Sequence, residues 1–154
     1  MSVAVTLIEQ PNKKIHGLWG KSSDKTIPKD IPMLSKQYYA TIEEKPESVL
    51  PFFIVSKDYD EKTGDFDLFI GGEIESEKLT AYELPSGYYG KVVVKPKMGL
   101  IWSIAIGEAK RYVYTKWILS SGYTALNMEY EYHTEKSIGK KPEIELFFAL
   151  IKND

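Results

Sequence analysis

The chain has 154 residues, of which 43% are hydrophobic, and this length suits a single domain with a core of its own. Its 20 Lys and Arg residues against 22 Asp and Glu give a net charge of −2, which excludes nucleic-acid binding driven by a dense basic surface. The absence of Cys excludes disulfides and thiolate metal sites, and no apolar run approaches the roughly 20 residues that span a membrane. Because the N-terminus also lacks the pattern of a signal peptide, we expect a cytoplasmic protein with no direct nucleic-acid partner and no membrane contact.

The first half of the chain predicts two short strands, a helix and a hairpin. Residues 3–8 and 15–19 are apolar runs that fit one interrupted edge strand. Asp30 is placed to cap a helix that carries Leu34 and Tyr38 on one face and ends before Pro46. The strands of the hairpin are residues 50–57 and 66–74, and a charged connection without clear periodicity follows at residues 75–84.

The second half repeats this order. A turn at Pro85-Ser86-Gly87 precedes a strand at residues 88–94. A helix is predicted over residues 100–119, because apolar side chains recur there on one stripe, namely Trp102, Ala105, Ile106, Ala109, Val113 and Trp117. A final hairpin occupies residues 126–151. We therefore predict an α+β fold in which two βαββ modules, at about residues 1–80 and 81–154 of one domain, share a mostly antiparallel sheet, with both helices on one face and a ligand groove on the other.

The final hairpin carries acidic residues inside a strand pattern. In its first strand, alternation separates Glu129 and Glu131 from an apolar set made of Leu126, Met128, Tyr130 and Tyr132. In its second strand, Glu145 and Phe147 lie opposite Ile144, Leu146, Phe148 and Leu150. We expect the second apolar set to pack under the helix tryptophans, and the other face to carry Glu129, Glu131, Glu145 and Phe147.

Several segments, in this order, resemble the GyrI-like family of effector-binding domains. They include Phe69-Ile70-Gly71-Gly72-Glu73-Ile74, Leu84-Pro85-Ser86-Gly87-Tyr88-Tyr89, Met128-Glu129-Tyr130-Glu131-Tyr132 and Ile144-Glu145-Leu146-Phe147-Phe148. Such domains belong to AraC-type and multidrug-responsive bacterial regulators, with BmrR-like drug-binding domains among them, and they also occur as free-standing proteins. The resemblance implies a groove for cationic, aromatic or amphipathic molecules, in which a Glu faces an aromatic cage and no cofactor takes part.

The family's key Glu stands in a segment of the form aromatic-Glu-x-Tyr after the second helix. Counting forward from Tyr123 favours Glu129, whereas counting back from Glu135 favours Glu131, which we prefer. The other candidates for ligand contact are Glu145, Phe147, Tyr89, Tyr38, Tyr39 and Trp19. The two His residues lack ligand spacing, so no metal site is predicted.

The resemblance therefore predicts a domain that binds small cationic or aromatic molecules, in transcription regulation through separate DNA-binding machinery or in drug sequestration. Two alternatives stay open. One is hydrolysis of reactive electrophilic toxins, with Glu129 or Glu131 acting as base or acid. The other is a protein-interaction module that modulates gyrase, which requires a protein partner that the sequence does not specify.

Overall fold

The computed structural model describes residues 3–96 and 102–154. Within these ranges the chain forms eight strands and two long helical segments, with short 3₁₀ turns at Pro46–Ser48 and Glu135–Ser137. The first half contains β1 (Thr6–Gln10), β2 (Lys13–Ser23), α1 (Ile27–Ile42), β3 (Phe52–Lys57), β4 (Asp65–Gly72) and β5 (Thr80–Leu84). The second half contains β6 (Gly87–Val94), α2 (Trp102–Tyr112), a π-helical turn (Val113–Trp117), α3 (Ile118–Ser121), β7 (Tyr123–His133) and β8 (Ile144–Lys152).

The two helices occupy nearly the predicted positions. Helix α1 begins at Ile27 with Thr26 as its N-cap, one turn before the predicted cap Asp30. Asp30 instead lies in the first turn, where its carboxylate accepts hydrogen bonds from the hydroxyls of Ser22 and Thr26. The start of the second helix, predicted at residue 100, lies outside the described residues. None of the helices in the described ranges is long and apolar enough to cross a membrane.

The strands form one sheet in the order β1-β6-β8-β7-β3-β4-β2-β5, and every pairing among the described residues is antiparallel. The unit β6-α2-β7-β8 repeats the unit β2-α1-β3-β4. In each unit the last strand lies between the first two, and the two units meet where β7 pairs with β3. The predicted α+β fold with duplicated βαββ modules is therefore confirmed.

Two short connections make the sheet curl. Pro11 and Asn12 alone join β1, at one edge, to β2, near the other edge. Pro85 and Ser86 likewise join β5 at the second edge to β6 near the first. Since two linking residues reach at most about 11 Å, both ends of the sheet must come close together. The prediction of one interrupted edge strand was wrong, because its two runs lie at opposite ends of the strand order.

Curling gives the sheet an inner and an outer face, and both are covered. The inner face holds a cluster of buried residues that includes Ile15, Phe53, Val55, Phe69, Tyr89, Met128, Tyr130 and Phe147. On the outer face, α1 packs Leu34 and Tyr38 against β3 and β4. Helix α2 and the π-helical turn pack Trp102, Ala109, Val113 and Trp117 against β6 and β8, which confirms the predicted stripe.

The register of β7 corrects the predicted placement of its acidic residues. Glu129 is the cross-strand partner of Ser56 and Phe148, and Glu131 is the partner of Ile54 and Leu146. Cross-strand partners point to the same side of a sheet, so both carboxylates lie on the outer face with the helices.

Glu145 and Phe147 lie on the inner face, where they pair with Tyr132 and Tyr130. The expectation that all four residues share the face opposite the helices was wrong. The reason is that both faces are packed, so an apolar side of a strand does not reveal which face the helices cover.

Strand β5 was not predicted. Residues 80–84 pair with the first part of β2 at the edge of the sheet, and of their side chains only Leu84 is buried. An edge strand with one buried side chain shows no alternation for a sequence pattern to detect.

Candidate functional site

A groove runs between the two helices on the outer face. This interhelical groove has a volume of about 590 Å³. Its floor includes Ser56 of β3 and Glu129 of β7, and the start of α1 forms one wall with Ile27. The opposite wall and the end are formed by Lys110, Tyr114, Ile118, Tyr59 and Phe66. The groove therefore combines apolar walls with a carboxylate at its floor.

Both oxygens of Glu129 are paired within the groove. The side chain is only 16% exposed, its Oε2 lies 2.7 Å from Nζ of Lys110, and its Oε1 accepts a hydrogen bond of 2.9 Å from the hydroxyl of Tyr114. Burial lowers the pKa of Lys110, but the charges of Glu129 and Glu131 outweigh it and raise that pKa. Burial, together with the charge of Glu129, raises the pKa of Tyr114 far above its ordinary value. At neutral pH the carboxylate thus faces one cation and one neutral donor.

A π-helical turn positions the two partners of Glu129. Lys110 and Tyr114 are four residues apart, the spacing that places side chains on the same side of a helix. Tyr114 lies in the π-helical turn, where the N–H of Ile118 donates to the carbonyl of Val113. The sequence placed Lys110 off the apolar stripe, which is correct, yet it gave no reason to connect Lys110 with a strand carboxylate.

A bulge in β7 fixes the loop that closes one end of the groove. The pairing of β7 with β8 shifts between Ala125 and Glu129, and Asn127 adopts a φ of +56°. Its side chain accepts from the backbone N–H of Tyr59 at 2.9 Å and donates to the carbonyl of Tyr59 at 3.1 Å. The hydroxyl of Tyr59 in turn donates to Asp24 at 2.5 Å. Asn tolerates positive φ better than most residues. This tolerance was the one feature of the sequence that could have indicated the bulge at Asn127.

Glu131, the second candidate carboxylate, lies one repeat along the strand from Glu129, a distance of about 7 Å. It is 8% exposed, and its Oε1 lies 3.1 Å from Nε2 of His133. The His133 ring meets Phe52 edge-on at 5.8 Å between centroids, and Tyr39 stacks on Phe52 at 5.4 Å. Glu131 therefore lies next to an aromatic cluster beside the groove and is not part of the groove floor.

Tyr38 completes this cluster. Its ring lies 5.3 Å from that of Tyr39 between centroids, and the residue is fully buried. Its hydroxyl has no hydrogen-bond partner among the described residues, and burial raises its pKa to about 12. The structure thus places four of the predicted site residues on the outer face, namely Glu129, Glu131, Tyr38 and Tyr39.

Three other predicted residues line a separate cavity on the inner face, of about 420 Å³. Here Glu145 lies 3.4 Å from Nζ of Lys91, and the hydroxyl of Tyr89 donates to the carbonyl of Pro85 at 2.6 Å. Phe147 stacks on Tyr130 with 4.8 Å between ring centroids. Glu145, Phe147 and Tyr89 are therefore on the opposite side of the sheet from Glu129.

Trp19 contacts neither the four predicted residues on the outer face nor the three that line the inner cavity. It lies on β2, with its ring 5.0 Å from Phe69 and 5.1 Å from Tyr82, and Nζ of Lys57 is 5.8 Å from its ring centroid. The eight predicted residues thus do not form one site. The residues that sequence reasoning missed are those that complete the groove around Glu129, namely Lys110, Tyr114, Tyr59 and Asn127.

The class that this fold represents is that of GyrI-like effector-binding domains, and the resemblance predicted from the sequence is confirmed. The family model for integron-associated effector binding proteins matches residues 6–150, so the chain belongs to that family. No curated protein matches the sequence.

Solved structures match the chain over nearly its whole length. An integron cassette protein from Vibrio cholerae has a TM-score of 0.67 at 14% identity, covering 96% of this chain and 95% of its own. The protein SAV2435, solved with bound tetraphenylphosphonium, has a TM-score of 0.67 at 10% identity, covering 96% and 94%. A hydrolase from Listeria innocua has a TM-score of 0.56 at 10% identity, covering 96% and 91%. At these identities the comparisons establish the fold.

Proposed function

We propose that this protein is an effector-binding domain whose interhelical groove takes cationic or amphipathic aromatic compounds. The observation that carries the proposal is Glu129, an almost buried carboxylate at the floor of a groove of about 590 Å³ with aromatic and aliphatic walls. Small-molecule sites usually have volumes of roughly 300–1,000 Å³, and the volume of this groove lies within that range.

The chemistry of the groove favours positive charge together with apolar surface. A carboxylate with little water around it attracts a cation more strongly than an exposed one does. The rings of Tyr59, Phe66 and Tyr114 offer apolar area, and their faces favour cations. The tetraphenylphosphonium held by SAV2435, a relative of this fold, is a compound of this kind.

Glu129 is the better candidate for direct contact, because it lines the groove whereas Glu131 is paired with His133 beside it. Glu131 adds negative charge about 7 Å away along the strand. Tyr38 and Tyr39 belong to the aromatic cluster beside the groove, where they pack with Phe52, and they do not line the groove. We assign Glu145, Phe147, Tyr89 and Trp19 no part in this site, because the first three lie on the inner face and Trp19 packs apart from both groups.

In the cell, such a domain acts either as an effector sensor with separate DNA-binding machinery or by sequestering toxic compounds. A cytoplasmic location fits both roles. The geometry lends less support to hydrolysis. In the free protein Lys110 and Tyr114 already bond to the two oxygens of Glu129, so a water molecule would have to compete with both of them for this carboxylate.

The first prediction is that Glu129→Gln weakens tetraphenylphosphonium binding about tenfold, because the amide keeps the volume but removes the charge that holds the cation. Isothermal titration calorimetry measures the loss. Glu131→Gln should weaken binding less. Tetraphenylborate, an anion of the same shape, should bind poorly to the wild type.

Glu145→Gln is the matched control, since Glu145 also pairs with a lysine but lies on the inner face. It should leave tetraphenylphosphonium affinity unchanged. Loss of affinity in Glu145→Gln but not in Glu129→Gln would place the ligand on the inner face and contradict the proposal. Absence of binding to the wild type would contradict it as well.

A further inference from the structure

We propose that Lys110 is a built-in cation that occupies the effector's position at Glu129, so that it sets which cations the groove accepts. This inference rests on the proposed function of the groove and goes beyond it by naming a residue that determines selectivity. It follows from three features of the free protein: the pairing of Lys110, the charge balance of the groove and the open space beside Lys110.

The ammonium of Lys110 already makes the contact that a cationic ligand would make. Its Nζ lies 2.7 Å from Glu129 inside the groove, and its side chain is 26% exposed. Glu131 attracts the same ammonium through space. A tethered group competes with an effective concentration in the millimolar range or above, so a ligand must displace Lys110 or remain without a direct contact to Glu129.

Among the described residues, the formal charges around the groove balance, because three acidic side chains (Asp24, Glu61 and Glu129) and three basic ones (Lys57, Lys110 and Arg111) line it. Of the three cations, Lys110 is the one that pairs with Glu129, whereas Lys57 lies 3.6 Å from Asp58. Lys110 is therefore the cation whose release makes the carboxylate of Glu129 available. Tyr114 stays bonded to the other oxygen of Glu129 and keeps the carboxylate oriented after Lys110 has left.

The helix leaves room for Lys110 to move away. Long helical side chains lie over the preceding turn, and for Lys110 that turn contains Gly107. A Cβ built on Gly107 would meet no atom of residues 3–96 or 102–154 within 4 Å, so these parts of the chain leave the space beside it open. The flexible lysine stem can swing over Gly107 and carry the ammonium into water without a change in the backbone.

This competition selects for a class of ligand. A small polar cation gains little besides the contact with Glu129, and the tethered lysine already provides that contact. A bulky lipophilic cation also buries ring surface against the groove walls, and that burial offsets the loss of the Lys110 pair. The groove should therefore accept triaryl or tetraaryl cations and reject small alkylammonium ions.

The test compares Lys110→Met, which keeps the length but removes the charge, with Lys110→Arg, which keeps the charge. Lys116→Met on the same helix is the matched control, because Lys116 is exposed and does not line the groove. Binding of tetraphenylphosphonium and of tetramethylammonium is measured by calorimetry at pH 8. Thermal melting establishes that each variant is folded.

We expect Lys110→Met to bind tetraphenylphosphonium about tenfold more tightly than the wild type and to gain measurable tetramethylammonium binding. Lys110→Arg and Lys116→Met should resemble the wild type. If Lys110→Met binds no more tightly while Glu129→Gln still weakens binding, this inference is overturned and the proposed function stands. If neither the wild type nor any variant binds tetraphenylphosphonium, the proposed function fails, and the inference with it.

A second measurement needs no variant and so does not depend on the folding of Lys110→Met. Acetylation by a succinimidyl ester, followed by mass spectrometry, reports how accessible each lysine amine is. Lys110 should be protected in the free protein and become several times more reactive when tetraphenylphosphonium saturates the groove, whereas Lys116 should not change. Equal labelling of Lys110 with and without tetraphenylphosphonium would overturn the proposal that the ligand displaces Lys110 from Glu129.

Discussion

At the scale of single residues, the two faces of the curled sheet decide which carboxylates can share a site, since Glu129 and Glu131 lie on the face that the helices cover and Glu145 lies on the inner face. Alternation along each strand was a good guide to which residues share a side, but it did not show which side the helices cover. The sequence correctly separated Glu129 and Glu131 from Tyr130, and Glu145 from Leu146. It failed to assign the faces because both sides of the curled sheet are packed, one under helices and one inside the curl. Lys110 and Tyr114 were missed since their partner, Glu129, comes from a distant strand that no local pattern connects to the helix.

Tyr38 gives a prediction at this scale. Its buried hydroxyl has no partner among the described residues, and a buried unpaired polar group costs roughly 1–3 kcal/mol. We expect Tyr38→Phe to leave the free energy of unfolding at pH 7 unchanged or to raise it by about 1 kcal/mol, measured by urea denaturation.

Tyr89→Phe is the control for this measurement. Its hydroxyl donates to the carbonyl of Pro85, so removing it should lower the free energy of unfolding by about 1 kcal/mol. A loss for Tyr38→Phe as large as that for Tyr89→Phe would show that the hydroxyl of Tyr38 has a partner after all.

At the scale of elements, the helices and six of the eight strands were predictable, because their buried side chains recur at helical or strand spacing. The stripe from Trp102 to Trp117 lies where it was expected. Strand β1 was displaced by a few residues, and β5 was missed, since edge strands bury too few side chains to show a period. The bulge at Asn127 was also invisible, although it holds the loop that closes the groove.

Helix α2 gives a prediction at this scale. Gly107 lies inside the helix and is exposed, and within the described part of the chain its missing Cβ would meet no atom within 4 Å. Glycine in a helix interior is less favourable than alanine by roughly 0.5–1 kcal/mol. We expect Gly107→Ala to raise the free energy of unfolding by that amount, measured by urea denaturation, with tetraphenylphosphonium binding retained. A destabilised Gly107→Ala would show that the space beside the helix is not open.

At the scale of the whole molecule, the buried tyrosines make stability depend on alkaline pH. Burial raises the pKa of Tyr38 and of Tyr89 from 10.0 to about 12, and it raises those of Tyr114 and Tyr130 further. Above pH 10 the unfolded chain therefore releases protons that the folded protein still holds.

The stability that these tyrosines contribute is complete below pH 10 and is lost as the pH rises through 12. We expect the free energy of unfolding to be level from pH 8 to 9.5 and to fall steeply above pH 10, by about 1.4 kcal/mol per pH unit for each tyrosine involved. Urea titrations across this range measure the slope, and Tyr38→Phe should reduce it. A constant free energy up to pH 12 would contradict the prediction.

The pairing of one edge strand with the other half also has a consequence for how the chain is made. Strand β1 belongs by sequence to the first half but pairs with β6 of the second half. During synthesis, Thr6–Gln10 leaves the ribosome before Gly87–Val94 and has no partner until that segment has followed. The first half therefore cannot complete its fold ahead of the second, and we expect the sheet to close only after the second half has been translated, through contacts between residues far apart in sequence.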